Sequence, residues 1–163
     1  MSIRRCIVMF TWLAASVAFV FALEVPCYWD PDLIVRGPSG VVEATCTRVL
    51  APTLLEVQLP GPSGTTFSTH IVLAGVRMLP SVLRKDPDTV MVFNRSYLEN
   101  RSVFLSSMEL GEGFSSALVW VEDPQQPQKG LILWNMALIV NGFAQIHEQD
   151  NILTEYVRIC GCQ

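Results

Sequence analysis

Two stretches of the chain alternate apolar with polar residues, a third has an apolar and β-branched centre, and two more are joined across Gly111-Glu112-Gly113. A period of two is typical of a strand that buries one face, and with the β-branched run and the glycine turn these stretches predict five strands. They are expected over residues 40–50, 54–59, 66–76, 102–110 and 115–121. Pro60-Gly61-Pro62-Ser63-Gly64 is a strong turn signal between the second strand and the third.

Helical spacing of apolar residues appears in three other segments. A helix is predicted over residues 86–98, because Asp86-Pro87-Asp88 offers an N-cap acid and a proline at the first helical position. A second helix is predicted over residues 133–141 and is closed by Gly142, which suits the left-handed position just past a helix end. A third is predicted over residues 150–159.

The order of these elements indicates one small α+β domain. Five strands with a helix after the third match the plan of the OB-fold, a five-stranded β-barrel, here with two to three packed helices. With 163 residues the chain is long enough for one such domain and a leader. The domain is expected over residues 40–163, after an extended, proline-containing lead-in over residues 23–39.

The N-terminal segment, residues 1–22, has the features of a secretory signal peptide. Arg4 and Arg5 precede an uncharged, apolar run over residues 6–23, and Ala22 is a suitable residue for cleavage after it. An uncleaved anchor helix that spans a membrane through residues 6–23 is the main alternative, and a buried core helix is a third. We therefore expect a location in the secretory lumen, outside the cell or on a membrane.

Two acceptor sequons for N-glycosylation agree with a lumenal location. Asn94-Arg95-Ser96 and Asn100-Arg101-Ser102 fall on the predicted helix over residues 86–98 and on its exit. One face of such a segment should be exposed to solvent. Asn94 and Asn100 are therefore candidate glycosylation sites.

Cysteine usage also fits a secreted domain. Beyond the leader the chain has an even number of cysteines, which predicts two disulfides. These candidates are Cys27, Cys46, Cys160 and Cys162. The favoured pairing joins Cys27 and Cys46 each to one cysteine of the C-terminal pair, since a bridge within Cys160-Gly161-Cys162 would be strained. The alternative is that Cys160 and Cys162 form a redox-active pair.

The charge of the chain favours a protein partner over nucleic acid. The formal net charge is −4, and removal of a leader with Arg4 and Arg5 would shift it to about −6. A protein that binds phosphates usually has a basic face, but here the only adjacent basic pair beyond the leader is Arg84-Lys85. His70 and His147 have no acidic or cysteine neighbour at ligand spacing, so no metal or other cofactor is predicted.

Several short segments (words) of the sequence resemble motifs of the staphylococcal nuclease family, whose barrel is of the OB type. They cover about residues 40–146. Val72-Leu73-Ala74-Gly75-Val76 is similar to the family's Arg-Leu-Ala-Gly-Ile run, and residues 44–50 are similar to its first strand. Residues 134–144 resemble its Val-Asn-Glu-Ala-Leu-Val-Arg-Gln-Gly-Leu-Ala helix. Residues 51–59 also resemble extended Tudor domains, although the chain has no room for a separate Tudor barrel.

The resemblance implies a barrel without the catalytic charges of the active nucleases. Ala51-Pro52-Thr53-Leu54 stands where those enzymes have an acidic turn that binds calcium. Val72 replaces the first arginine, Arg77-Met78-Leu79-Pro80 replaces the acids that follow, and the second arginine falls near Ser115. Phosphodiester cleavage needs such groups to offset the charge that develops on the phosphate. We therefore expect no catalytic residue here.

These observations favour a pseudoenzyme, a non-enzymatic interaction module of the secretory or membrane system that binds a protein partner. A residual or altered nuclease, or a single-stranded nucleic-acid binder, is one alternative. A thiol-redox function of Cys160 and Cys162 is the other. Trp134 is expected to pack a helix against the barrel rather than to form a binding platform with Tyr28 and Trp29.

Overall fold

A computed structural model of the chain describes residues 28–29, 41–111, 113–123, 130–147 and 153–154. Several sequence predictions concern other residues and stay predictions: the leader over residues 1–22 with cleavage after Ala22, the span over residues 6–23, Cys27, Cys160, Cys162 and most of the helix over residues 150–159. Along the part of the chain that the structure describes, no helix has both the length and the hydropathy needed to cross a bilayer.

The described residues form strands and three α-helices in an alternating order. The strands are β1 (Tyr28–Trp29), β2 (Val42–Ala51), β3 (Leu54–Pro60), β4 (Thr66–Leu73), β5 (Val76–Met78), β6 (Arg101–Leu110), β7 (Ser115–Glu122), β8 (Leu131–Leu133) and β9 (Ala144–Ile146). The helices are α1 (Pro80–Lys85), α2 (Pro87–Leu98) and α3 (Trp134–Val140). The five predicted strands and the first two predicted helices are confirmed, with shifted ends.

Five of the strands close into a mixed β-barrel. Their order is β2-β3-β4-β7-β6, and β6 pairs with β2 again. Only the β4–β7 pairing in this ring is parallel; the others are antiparallel. This is an OB-like α+β fold, as the sequence predicts, with β8 and β1 added beyond β7.

Alternate residues of the barrel strands point inward and form one apolar core. Val57 of β3 and Ile71 of β4 are both fully buried, whereas Gln58 and His70 beside them are exposed. β2 and β6 alternate in the same way until the register shifts, after Cys46 on β2 and after Ser106 on β6. β7 is different, because it buries both faces: Val119 joins the core inside the barrel, and Trp120 joins a second apolar cluster.

Helix α2 begins as the sequence predicts. The carboxylate of Asp86 accepts hydrogen bonds from the backbone N–H (3.1 Å) and the hydroxyl of Thr89. These bonds hold the pKa of Asp86 below its ordinary value. Along the helix, Val90 and Phe93 are buried in the barrel core, so α2 covers the barrel with its apolar face.

The predicted strand over residues 66–76 is too long. β4 ends at Leu73, and the chain turns at Gly75, whose φ is 69°. A Cβ on Gly75 would lie 2.4 Å from Cβ of Leu153, so the backbone and the space available both favour glycine. After the turn, β5 pairs with β9 in a separate two-stranded sheet.

Short elements account for the remaining differences. α1 and β9 have no counterpart among the predicted elements, and β8 lies where a loop was expected to pass into a helix. Each strand has only three residues, too few for a hydrophobic period to be recognised. They form because tertiary neighbours, β7 and β5, offer edges with which they pair.

Candidate functional site

The structure brings together three of the positions at which the resemblance places the nuclease site. Leu54, at the end of the turn over residues 51–54, pairs with Val72 of β4. On the other side Val72 pairs with Ser116, next to Ser115 at the start of β7. The row therefore crosses β3, β4 and β7, and its side chains are neutral.

The turn over residues 51–54 uses its backbone carbonyls within the fold. The carbonyl oxygen of Pro52 accepts a hydrogen bond from Nδ2 of Asn94 (2.8 Å). That of Thr53 accepts one from the backbone N–H of Leu73 (2.9 Å). Among the described residues, no group of three or more histidine, cysteine, aspartate or glutamate side chains is placed to hold a metal ion.

Asn94 and Trp134 form a buried polar contact between α2 and α3. Nε1 of Trp134 donates to Oδ1 of Asn94 (2.9 Å), and both residues have no exposed surface. Phe93 stacks on the indole of Trp134 with ring centroids 5.1 Å apart. The prediction that Trp134 packs a helix onto the barrel is confirmed. Together with the bond to Pro52, this contact satisfies both amide atoms of Asn94.

The burial of Asn94 corrects one glycosylation prediction. Nδ2, the atom that would carry a glycan, is fully buried and donates to Pro52, so a glycan on Asn94 is incompatible with this packing. Asn100 is exposed at the turn between α2 and β6, with φ of 59°, and its backbone N–H donates to Cys46 O (2.7 Å). Glycosylation of Asn100 stays a prediction.

Cys46 is a free thiol inside the barrel, so the disulfide predicted for it is absent from the structure. Its side chain has no exposed surface, because position 46 is on the inward face of β2. Burial, helped by the negative charge of Glu99, raises the pKa of the thiol to about 12. The thiol therefore stays protonated near neutral pH and is a poor nucleophile. Pairing or redox chemistry of Cys27, Cys160 and Cys162 stays a prediction.

A second buried asparagine, Asn135, connects α3 to β7. Its Oδ1 accepts from the backbone N–H of Val119 (2.9 Å), and its Nδ2 donates to the carbonyl oxygens of Ala74 (2.8 Å) and Ala117 (3.3 Å). Val119 lies between Ala117, which forms the last pair of β7 with β4, and Trp120, which forms its first pair with β8. Sequence reasoning missed this function, although Asn135 is part of the word that resembles the nuclease helix.

The N-terminal half of β4 contrasts with these buried regions. Residues 66–70 pair with β3, but β7 joins β4 only from Ile71 onward. Among the described residues, no strand pairs with residues 66–70 on the side opposite β3. We call this side the open edge. Two of the exposed large hydrophobic side chains lie at it: Phe67 (51% exposed) on β4 and Phe114 (52% exposed) directly before β7.

A groove of about 310 Å³ lies where α1, α2 and the turn after α3 meet. Val82 and Phe143 provide apolar lining, and Lys85 and Asp86 place opposite charges beside it. Because these charges are adjacent in the chain, the groove has no net preference for one sign of ligand charge. The groove therefore has fewer features that would select a particular ligand than the open edge has.

Comparisons with known proteins add no family assignment. No protein-family model matches the chain, and no curated protein matches it. The functional proposals therefore rest on the barrel, on the residues at the compared nuclease positions and on the open edge.

Proposed function

We propose that this chain is a non-enzymatic, protein-binding module of the secretory or membrane system, built on a staphylococcal nuclease-type barrel. The observation that carries the proposal is that the pairing of β4 with β3 and β7 brings Val72 beside Thr53 and Ser115, and all three side chains are neutral. In an active nuclease of this type, the compared positions hold charges for calcium and phosphate. Here the adjoining turn directs the carbonyls of Pro52 and Thr53 to partners within the fold.

Two structural details support the family resemblance behind this proposal. Asn135 belongs to the word that is similar to the nuclease helix, and it makes three hydrogen bonds that no apolar residue could make. Gly75 belongs to the Leu-Ala-Gly word, and its positive φ explains a glycine there. Both residues stabilise the fold and neither is a catalytic group. A barrel that is retained for binding would therefore keep them.

A protein partner is favoured over nucleic acid by charge and by exposed side chains. The net charge of −4 opposes association with a polyanion. The exposed aromatic residues at the open edge, Phe67 and Phe114, are of the kind enriched in protein interfaces. Aromatic residues also stack on bases, so a direct nucleic-acid measurement belongs in the test.

The test of activity uses the purified full chain in detergent, incubated with single-stranded DNA and with RNA in the presence of calcium. We expect no cleavage above that of the buffer and no salt-sensitive binding, with an active staphylococcal nuclease as positive control. Cleavage that a chelator abolishes would overturn the proposal. Protein binding is tested by cross-linking in cells. We expect it to identify a protein that, once purified, binds the purified chain directly.

Location is tested separately, by a glycosidase mobility shift on tagged full-length protein from cell pellet and medium. We expect a shift, which would place the domain in the lumen. Protein in the medium would show cleavage near Ala22, and protein confined to membranes would show the anchor. An unshifted protein in the cytosol would contradict the secretory part of the proposal.

A further inference from the structure

We propose that the open edge of β4, residues 66–70, binds an extended segment of a partner polypeptide as an added β-strand. The inference rests on the proposed protein-binding function and specifies how that binding occurs. Strand addition recognises main-chain N–H and C=O groups, which the exposed edge of a sheet presents in a row.

The directions of the backbone groups of β4 follow from two hydrogen bonds at its C-terminal end. The N–H of Leu73 donates toward β3, to Thr53 O, whereas the N–H of the next residue, Ala74, donates toward β7, to Ala117 O. Because these directions alternate along a strand, the backbone groups of Thr66 and Ser68 and the N–H of His70 point away from β3. They face the open edge.

Both ends of the open edge are defined by other parts of the fold. At one end, the 3₁₀ turn at Pro62–Gly64 reverses the chain between β3 and β4. At the other, Phe114 precedes Ser115, which pairs with Ile71. Five residues at about 3.3 Å each give an edge of roughly 16 Å, enough for a short extended peptide.

The side chains along the edge leave it open to pairing. Thr66, Phe67, Ser68 and His70 are all exposed, and Thr69 is half-buried. Proteins commonly protect such edges with lysine, proline or a bulge, and residues 66–70 include neither residue type, nor a register shift against β3. An occupant therefore needs an apolar side chain to cover Phe67 and no proline at the positions that bond to β4.

A partner segment fits the edge better than a second copy of this chain. A pair of five-residue edges buries less than the roughly 1,200 Å² that stable protein interfaces usually need. Two copies would also bring like net charges of −4 together. A peptide can satisfy the whole edge with its backbone and leave β4 at Phe114, where β7 begins.

The experiment selects random phage-displayed dodecapeptides on the full chain in detergent and measures synthetic copies of the enriched peptides by fluorescence anisotropy. Ser68→Pro removes an edge-facing N–H for which no strand among the described residues is a partner, and Ser68→Ala keeps it. We expect Ser68→Pro to weaken binding at least about tenfold and Ser68→Ala to leave it unchanged. Circular dichroism checks that both variants are folded.

A second measurement leaves the protein untouched. Peptides N-methylated at alternate positions should lose binding in one register and keep it in the other, because only every second peptide N–H faces β4. Peptides that bind wild type and Ser68→Pro equally, or that tolerate methylation at every position, would overturn strand addition at the open edge. The proposed protein-binding function would still stand. Absence of any enriched peptide, or a dimer of the chain that Ser68→Pro abolishes, would also overturn it.

Discussion

The two halves of β4 differ in how their backbone groups are satisfied. The half from Ile71 to Leu73 pairs with strands on both sides, and just beyond it Asn135 hydrogen-bonds to Ala74 O. Within the part of the chain that the structure describes, the half over residues 66–70 pairs only with β3. Water can solvate the exposed half, whereas a buried group without a partner destabilises the fold. Buried amides therefore complete one half, and the other remains open to a partner.

The largest effect is expected where a buried amide satisfies the backbone. Asn135→Ala would leave the N–H of Val119 and the carbonyl of Ala74 buried without this partner, which should destabilise the domain by about 3–5 kcal/mol. Urea unfolding followed by circular dichroism measures the change. Ser68→Ala on the open edge is the control and should change stability by less than about 0.5 kcal/mol. Similar losses for both variants would remove the contrast between the two halves.

Proline substitutions test the contrast within the open half itself. Thr69 pairs with Val57, and its backbone groups face β3, so Thr69→Pro should remove a ladder hydrogen bond and destabilise the domain by about 3 kcal/mol. Ser68→Pro should change stability by less than about 1 kcal/mol, because its N–H faces the open edge. Thermal melts of the two variants compare them directly. The reverse order of stability would mean that the assigned backbone directions are wrong.

Gly75, at the turn that ends the closed half, should also be sensitive. Gly75→Ala places a Cβ against Leu153 and keeps a φ of 69°, so we expect a loss of about 2 kcal/mol. Gly142→Ala is the matched control, because its φ is 75° but no heavy atom lies within 4 Å of the added Cβ. That variant should lose only about 1 kcal/mol. Equal losses in urea unfolding would show that the contact with Leu153 contributes nothing.

Cys46, in the closed barrel, should make stability depend on alkaline pH. Its pKa is raised from an ordinary value of 9.0 to about 12, so the unfolded chain loses the thiol proton first as pH rises. The stabilisation is complete below about pH 9 and declines toward about pH 12. Between about pH 7 and pH 10, the stability advantage of wild type over Cys46→Ala should fall by about 1 kcal/mol. A constant difference in urea unfolding would contradict the shift.

The smallest effect on stability is expected at the exposed sequon. Asn100→Gln should abolish a glycosidase-sensitive mobility shift, while a glycan-carrying form should persist in Asn94→Gln. The Asn100 variant should fold normally, since the turn uses its backbone N–H and the side chain is exposed. Loss of the shift in Asn94→Gln alone would contradict the assignment of the sequons.

Local sequence patterns were sufficient for the main elements of the barrel. Alternation predicts β2 and β3, and the glycine turn between two apolar stretches predicts β6 and β7, each to within one or two residues. Asp86 and Gly142 were identified at a helix start and a helix end because capping depends on the nearest residues. The sequence predicts only part of the candidate site. It predicts neutral residues at the nuclease positions, but it does not predict the open edge.

Tertiary structure decided the features that depend on distant partners. Asn94 lies in a sequon and Asn135 is a polar residue within an apolar helix, yet both are fully buried, Asn94 between Pro52 and Trp134 and Asn135 against β7. Cys46 faces the core as a free thiol, although the even number of cysteines and the expected secretory location predict a disulfide. The open edge exists because β7 begins beside Ile71 rather than beside Thr66. A local pattern specifies which residues can form a strand or a helix, but burial and pairing depend on neighbours that only the closed barrel brings together.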